Sequence, residues 1–144
     1  MFVADNEHVE DITGYRQLVG ALQYCTLTRP EIAYSVNQLC QHLHSPTTFH
    51  WKSAKRVLCY LKGSVDHGLY FSKGSLSLHA YCDSDWVGDH RDRRSTTGYG
   101  IFLGPCLISW CAKKQGVVSR SSTEAENRAL AMVVPELYWL RMLL

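Results

Sequence analysis

No apolar run in this 144-residue chain approaches the roughly 18 residues of a membrane span, so no membrane partner is expected. Charge of one sign is also scarce. Fifteen Lys and Arg against thirteen Asp and Glu leave +2, too little to argue for nucleic acid unless the basic residues cluster. Cys-x-x-Cys is absent: the cysteines at 25, 40, 59, 82, 106 and 111 stand singly among apolar neighbours, the setting of reduced, buried thiols. The histidines include His42-x-His44, yet no Cys or His pair has zinc-finger spacing, and a structural zinc is not expected. Residues 1 to 11 are acidic and carry no signal-peptide pattern. These absences lead to the expectation of an intracellular protein, cytoplasmic or nuclear and not secreted. What is present is 46% hydrophobic and 11% aromatic residues, enough to bury a core.

The polar residues 1 to 10 read as a frayed start. From Thr13, the residues Tyr15, Leu18, Val19, Leu22 and Cys25 share one helical face. Pro30 suits a first helical position and Glu31 the positive end of the helix dipole. The helix they open has Ile32, Val36, Leu39, Cys40 and Leu43 as its stripe. It should stop near His44, because Pro46 disfavours helix in the residue before it. Thr47 or Thr48 caps a third helix, with Trp51, Ala54, Val57, Leu58 and Leu61 as its buried arc and Gly63 as its end. The other arc carries Lys52, Lys55, Arg56 and Lys62 with no acid among them. That is either a solvated face or one that tracks phosphates.

The period then changes. Residues 68–71 read as a short strand and Ser72-Lys73-Gly74 as a turn. Leu76, Leu78, Ala80 and Cys82 alternate with Ser77, His79 and Tyr81, the mark of a half-buried strand. This strand runs into Asp83, Asp85 and Asp89. A carboxylate at such a strand end is costly unless a cation or donors meet it. Hard oxygen ligands suit Mg²⁺, which takes one or two carboxylates and keeps its waters; the competing reading is a solvated Asp-rich turn. Thr97 to Leu103, the turn Gly104-Pro105 and Cys106 to Ala112 complete a three-stranded antiparallel meander.

Ser121-x-x-Glu124 and Thr123-x-x-Glu126 are overlapping capping boxes. They open a helix that runs to the last residue, with Ala129, Leu130, Val133, Leu137, Leu140 and Leu144 as its stripe. Glu124 is explained by capping. Glu126 heads the apolar stripe and should face the sheet, while Pro135 should kink the helix. The fold class is therefore α+β or α/β, with a helical segment over 1–66 and a sheet-and-helix segment over 67–144.

The wording of these segments is specific. Tyr81-Cys82-Asp83-Ser84-Asp85-Trp86-Val87-Gly88-Asp89 is followed by Asp92-Arg93-Arg94-Ser95-Thr96-Thr97-Gly98-Tyr99. Ile108-Ser109-Trp110, Lys113-Lys114-Gln115 and Ser121-Ser122-Thr123-Glu124-Ala125-Glu126 come after them. Together they resemble the RNase H region of copia-type LTR-retrotransposon polyproteins. Upstream, Tyr15 to Leu22, Thr28-Arg29-Pro30-Glu31-Ile32 and Ala54 to Gly63 resemble the helical thumb and connection that end the reverse transcriptase of the same polyprotein. The likeness covers nearly the whole chain after residue 12. It implies three helices followed by an incomplete RNase H-like fold.

The resemblance also implies chemistry. RNase H cuts the RNA strand of an RNA/DNA hybrid with two Mg²⁺ ions, which act on the attacking water and the leaving oxygen together. Asp83 matches the first-strand Asp of the family and Glu126 its first-helix Glu, both as catalytic residues and metal ligands; Asp85 is a secondary candidate ligand. Asn127 departs from the aromatic residue usual there. The third and fourth carboxylates of the family would follow this helix, and the chain ends at Leu144. The expectation is a truncated fragment, inactive alone, whose partners are nucleic acid and the rest of the Pol polyprotein. Lys52, Lys55, Arg56 and Lys62 would rest on a duplex backbone, with Lys113, Lys114 and Arg120 extending that path. The alternatives are a catalytically dead nucleic-acid-binding remnant and a non-functional product of a decayed element. Tyr81-Cys82-Asp83-Ser84 is not the Tyr-x-Asp-Asp motif of the polymerase, so no polymerase activity is expected.

Overall fold

A computed structural model describes residues 7–89 and 91–144. The expected frayed start falls partly outside them. Its described part is paired: Val9 N–H donates to the Pro46 carbonyl at 3.2 Å, and Thr48 N–H donates to that of Glu7 at 2.9 Å. Among the described residues the architecture is α+β, four α-helices and one three-stranded antiparallel sheet. It divides into two compact units between Gly68 and Leu69.

The first unit holds α1 (Ile12–Cys25), a 3₁₀ turn (Pro30–Ile32), α2 (Ala33–Cys40) and α3 (Thr48–Gly63). Asp11 caps α1 by accepting the Gly14 N–H at 2.7 Å. Tyr15, Val19, Leu22, Ile32, Val36, Leu39 and Ala54 form its core. The Tyr15 hydroxyl donates to the Leu39 carbonyl at 3.0 Å, and burial, then Cys40, push its phenol up to about 12. The buried Arg29 donates to the Ser64 carbonyl at 2.9 Å and its hydroxyl at 2.6 Å, tying the start of α2 to the end of α3.

Two expectations are corrected here. The second helix ends at Cys40 rather than near His44. Its last turn tightens into i→i+3 bonds, and the Leu43 carbonyl accepts instead from Arg16 in α1 at 2.9 Å. On α3 the buried arc begins one residue early, at His50 and Ala54, while Leu58 is exposed. His50 closes the capping box, its Nδ1 accepting the Thr47 N–H at 2.9 Å. That bond draws the imidazole inward.

The second unit holds β1 (Leu78–Asp85), β2 (Thr96–Leu103), β3 (Cys106–Lys114) and α4 (Ser122–Leu143), with the strands in order β1-β2-β3. Asp83 lies opposite Gly98 and Ser84 opposite Thr97. The turn from β2 to β3 places Gly104 at φ +54°, a conformation that suits glycine. Residues 68–71 form no strand, contrary to expectation. Tyr70 and Phe71 are exposed. The segment meets the sheet through Ser72, whose N–H donates to Cys106 Sγ and whose carbonyl accepts from that thiol, both at 3.3 Å.

Ser121 caps α4, its hydroxyl accepting the Glu124 N–H at 3.2 Å. Glu124 in turn accepts the Arg120 N–H at 2.9 Å. The buried stripe is Ala125, Ala129 and Val133, and Leu130 is exposed, which corrects the expected stripe. Small side chains at i and i+4 let the helix lie close on β1 and β2. The helix runs through Pro135 as one element. Glu136 reaches the sheet, accepting from the Ser109 hydroxyl at 3.4 Å.

Candidate active site

Successive N–H groups of an edge strand point alternately toward and away from its partner. Gly104 N–H donates to the Ser77 carbonyl at 2.8 Å. Counting along the register from that bond, odd-numbered residues of β1 face β2 and Ser84 N–H points to the free edge. There it meets Glu126, whose Oε1 accepts it at 3.3 Å. One turn into α4, Glu126 therefore lies against the peptide unit that follows Asp83. Asp83 itself is exposed, and alternation turns its side chain to the face opposite Ser84. The two carboxylates approach one peptide unit from different sides. Both charges reach the neighbouring Cys82, whose thiol is pushed up by burial first, then by Glu126 and Asp83.

A buried polar cluster holds this junction together. Gln115, just past β3, is buried along with Ser84, Ser95, Thr97 and Ser119. Its Nε2 lies 3.1 Å from Ser84 Oγ, 3.0 Å from Thr97 Oγ1 and 3.0 Å from the Ala125 carbonyl. Ser119 Oγ donates to Gln115 Oε1 at 2.9 Å, and the Ser119 carbonyl accepts from Trp86 Nε1 at 3.1 Å. Ser95 accepts the Val87 N–H on its hydroxyl and the Gln115 N–H on its carbonyl. Val87 takes φ 60°, costly for a β-branched residue; the Ser95 and Ser119 contacts hold the loop in it. None of these partners was read from the sequence. No periodic signal in the sequence marks them.

Asp85 is engaged elsewhere. It accepts the Thr96 N–H and folds over Gly88, where a Cβ would collide with its carboxylate, so it closes the β1–β2 connection. Asp89 and Asp92 pair with Lys114, the latter at 2.9 Å. Lys114, chiefly, and then the Arg91 N–H hold Asp89 down to about 2. Burial alone would lower the Lys114 ammonium, but Asp89 and Asp92 outweigh it and raise it. Of the candidate cations, Lys114 is thus already answered inside the chain. Lys113 and Arg120 are exposed in the second unit, and Lys52, Lys55, Arg56 and Lys62 are exposed on α3 of the first. Lys55 Nζ lies 5.4 Å from the centre of the Trp51 ring.

Two hard oxygen donors suit Mg²⁺, which accepts one or two carboxylates and completes its shell with water. No group of three or more His, Cys, Asp or Glu side chains able to hold an ion occurs among the described residues. Asp83 and Glu126 are two oxygen donors, short of a complete shell. No helix among the described residues is long and apolar enough to cross a membrane.

Fold and site define a class: an α+β module in which a helix-borne Glu accepts the free-edge N–H of the strand residue that follows an Asp. The chain is 56% identical over 130 residues to an uncharacterised mitochondrial protein of Arabidopsis thaliana, covering 90% of this chain and 54% of that one. It is 54% identical over 135 residues to the retrovirus-related Pol polyprotein from transposon RE2 of the same plant, and 52% identical over 135 residues to that from transposon RE1. Those matches cover 93% of this chain and 9% of each polyprotein. The chain thus spans about half of the first relative and about a tenth of the Pol polyproteins. No family profile matches it, and no solved structure does. The chain belongs to the copia-type retrotransposon Pol polyproteins, as a fragment of one.

Proposed function

We propose that this fragment supplies two carboxylates, Asp83 and Glu126, of a site that cuts the RNA strand of RNA/DNA hybrids, and that the rest of the Pol polyprotein completes it. The observation that supports this is Glu126 seated on the Ser84 N–H beside Asp83. Asp83 and Glu126 would hold Mg²⁺. The chemistry such ions supply when bound is activation of the attacking water and relief of charge on the leaving oxygen. The chain's own part is to present the carboxylates on a rigid strand and helix. The place of action is inside the cell, cytoplasmic or nuclear. The test is Mg²⁺-dependent cleavage of a labelled hybrid, by this chain alone and by a longer Pol segment containing it. The expected result is no turnover by the chain alone, and turnover by the longer segment that Asp83→Asn removes. Undiminished cleavage in that substitution would overturn the reading.

A second activity is favoured by the exposed arc Lys52, Lys55, Arg56 and Lys62 on α3. It is sequence-independent binding to a nucleic-acid backbone, which would persist without catalysis.

A further inference from the structure

We infer that Gln115 is the positioning residue that fixes the spacing between Asp83 and Glu126. The inference rests on the hybrid-cutting reading for its purpose, and on geometry for its substance.

Gln115 is 6% exposed, and its amide nitrogen reaches β1, β2 and α4 at once. One acceptor, Ser84 Oγ, belongs to the residue after Asp83. Another, the Ala125 carbonyl, belongs to the residue before Glu126. A carbonyl cannot donate, so the Gln115 atom 3.0 Å from Ala125 O must be the nitrogen, which settles the amide's orientation. A third acceptor, Thr97 Oγ1 on the central strand, lies 3.0 Å from the same nitrogen, so three acceptors share its two N–H groups. The amide oxygen is held by the Ser119 hydroxyl, and the backbone N–H by the Ser95 carbonyl at 2.8 Å. Both ends of the side-chain amide and the backbone N–H are therefore engaged.

The consequence is specific to glutamine. Glutamate would set an anionic oxygen against the Ala125 carbonyl, and methionine would fill the volume but offer no donor. With Gln115→Met, the first turn of α4 loses its bond to β1 beside Ser84, and the Glu126–Ser84 contact is left to hold itself. Partners that orient metal ligands from behind commonly change metal affinity by tenfold or more when removed.

The experiment uses the full 144-residue chain with two readouts, affinity for Mn²⁺ alone and hydrogen exchange of the Ser84 amide. Gln115→Met is expected to keep its circular dichroism, lose about tenfold in Mn²⁺ affinity and exchange the Ser84 amide faster. A folded Gln115→Met with wild-type affinity and wild-type Ser84 exchange overturns the inference and leaves the hybrid-cutting reading standing. If the wild-type chain binds no Mn²⁺ at Asp83 and Glu126, Ser84 exchange alone decides for or against Gln115, and the hybrid-cutting reading is decided separately by cleavage with the longer Pol segment. Should Gln115→Met not fold, Ser119→Ala removes only the bond that orients the amide. A smaller change in the same two readouts is then expected, and none would overturn the inference.

Discussion

Glu126 accepts a hydrogen bond at 3.3 Å from the backbone N–H of Ser84, the residue that follows Asp83. That one bond joins the first turn of α4 to the free edge of β1. It satisfies a donor that would otherwise have no partner strand, and it fixes a carboxylate against the peptide unit that follows Asp83. Glu126→Gln keeps an acceptor at that place while removing the charge. It should change the unfolding free energy by less than about 1 kcal/mol, yet abolish divalent-ion-dependent cleavage by the longer Pol segment. Retained cleavage would show that the carboxylate is only a structural acceptor.

The packing of α4 gives a second prediction. Ala129 is fully buried against the sheet and Leu130 is 49% exposed. Ala129→Leu should destabilise the second unit by about 1–3 kcal/mol through overpacking, and Leu130→Ala by less than about 0.5 kcal/mol. Urea denaturation of both variants checks this, and a reversed order would restore the stripe read from the sequence.

A third concerns acid. Asp89 is depressed to about 2 by Lys114 and the Arg91 N–H. A folded pKa below the unfolded one means that the stabilisation is complete above about pH 4 and is lost as the pH falls toward 2. The carboxylate is partly exposed, so about 1 kcal/mol is the reasonable size after screening. Asp89→Asn should flatten the stability profile between pH 4 and 2, as measured by thermal melts across that range. A profile as steep as the wild type's would place the acid sensitivity elsewhere.

The basic arc of α3 gives a fourth. If Lys52, Lys55 and Arg56 each answer one phosphate, replacing all three by Ala should lower the log–log salt slope of duplex binding by about 2 to 3. Fluorescence anisotropy at several salt concentrations measures it. An unchanged slope would return that arc to solvent.

The helices and the meander were legible because their signals are local and repeated. Thr47 before α3 and Ser121 before α4 announce their own caps, whereas Asp11, the cap of α1, was not read from the sequence. The alternation from Leu76 to Cys82 announces a strand, which the structure places two residues later, at Leu78–Asp85. The errors arose where a distant partner decided the outcome. Arg16 takes the Leu43 carbonyl and α2 stops early. Residues 68–71 have strand-like letters but no strand to pair with. Leu130 looks like core on a helical wheel, but the sheet meets the helix along Ala125 and Ala129. Within the site, the turn of Glu126 toward the sheet was readable from the apolar stripe it heads. Gln115 was not, because a buried amide that serves three elements leaves no periodic trace in the chain.

The most direct measurement of the central claim is paramagnetic broadening by Mn²⁺ of the amide spectrum of the ¹⁵N-labelled chain. Broadening centred on residues 82–84 and 125–127, and removed by Asp83→Asn, is the predicted result. Broadening centred instead on Asp89 and Asp92, or unaffected by Asp83→Asn, would contradict it.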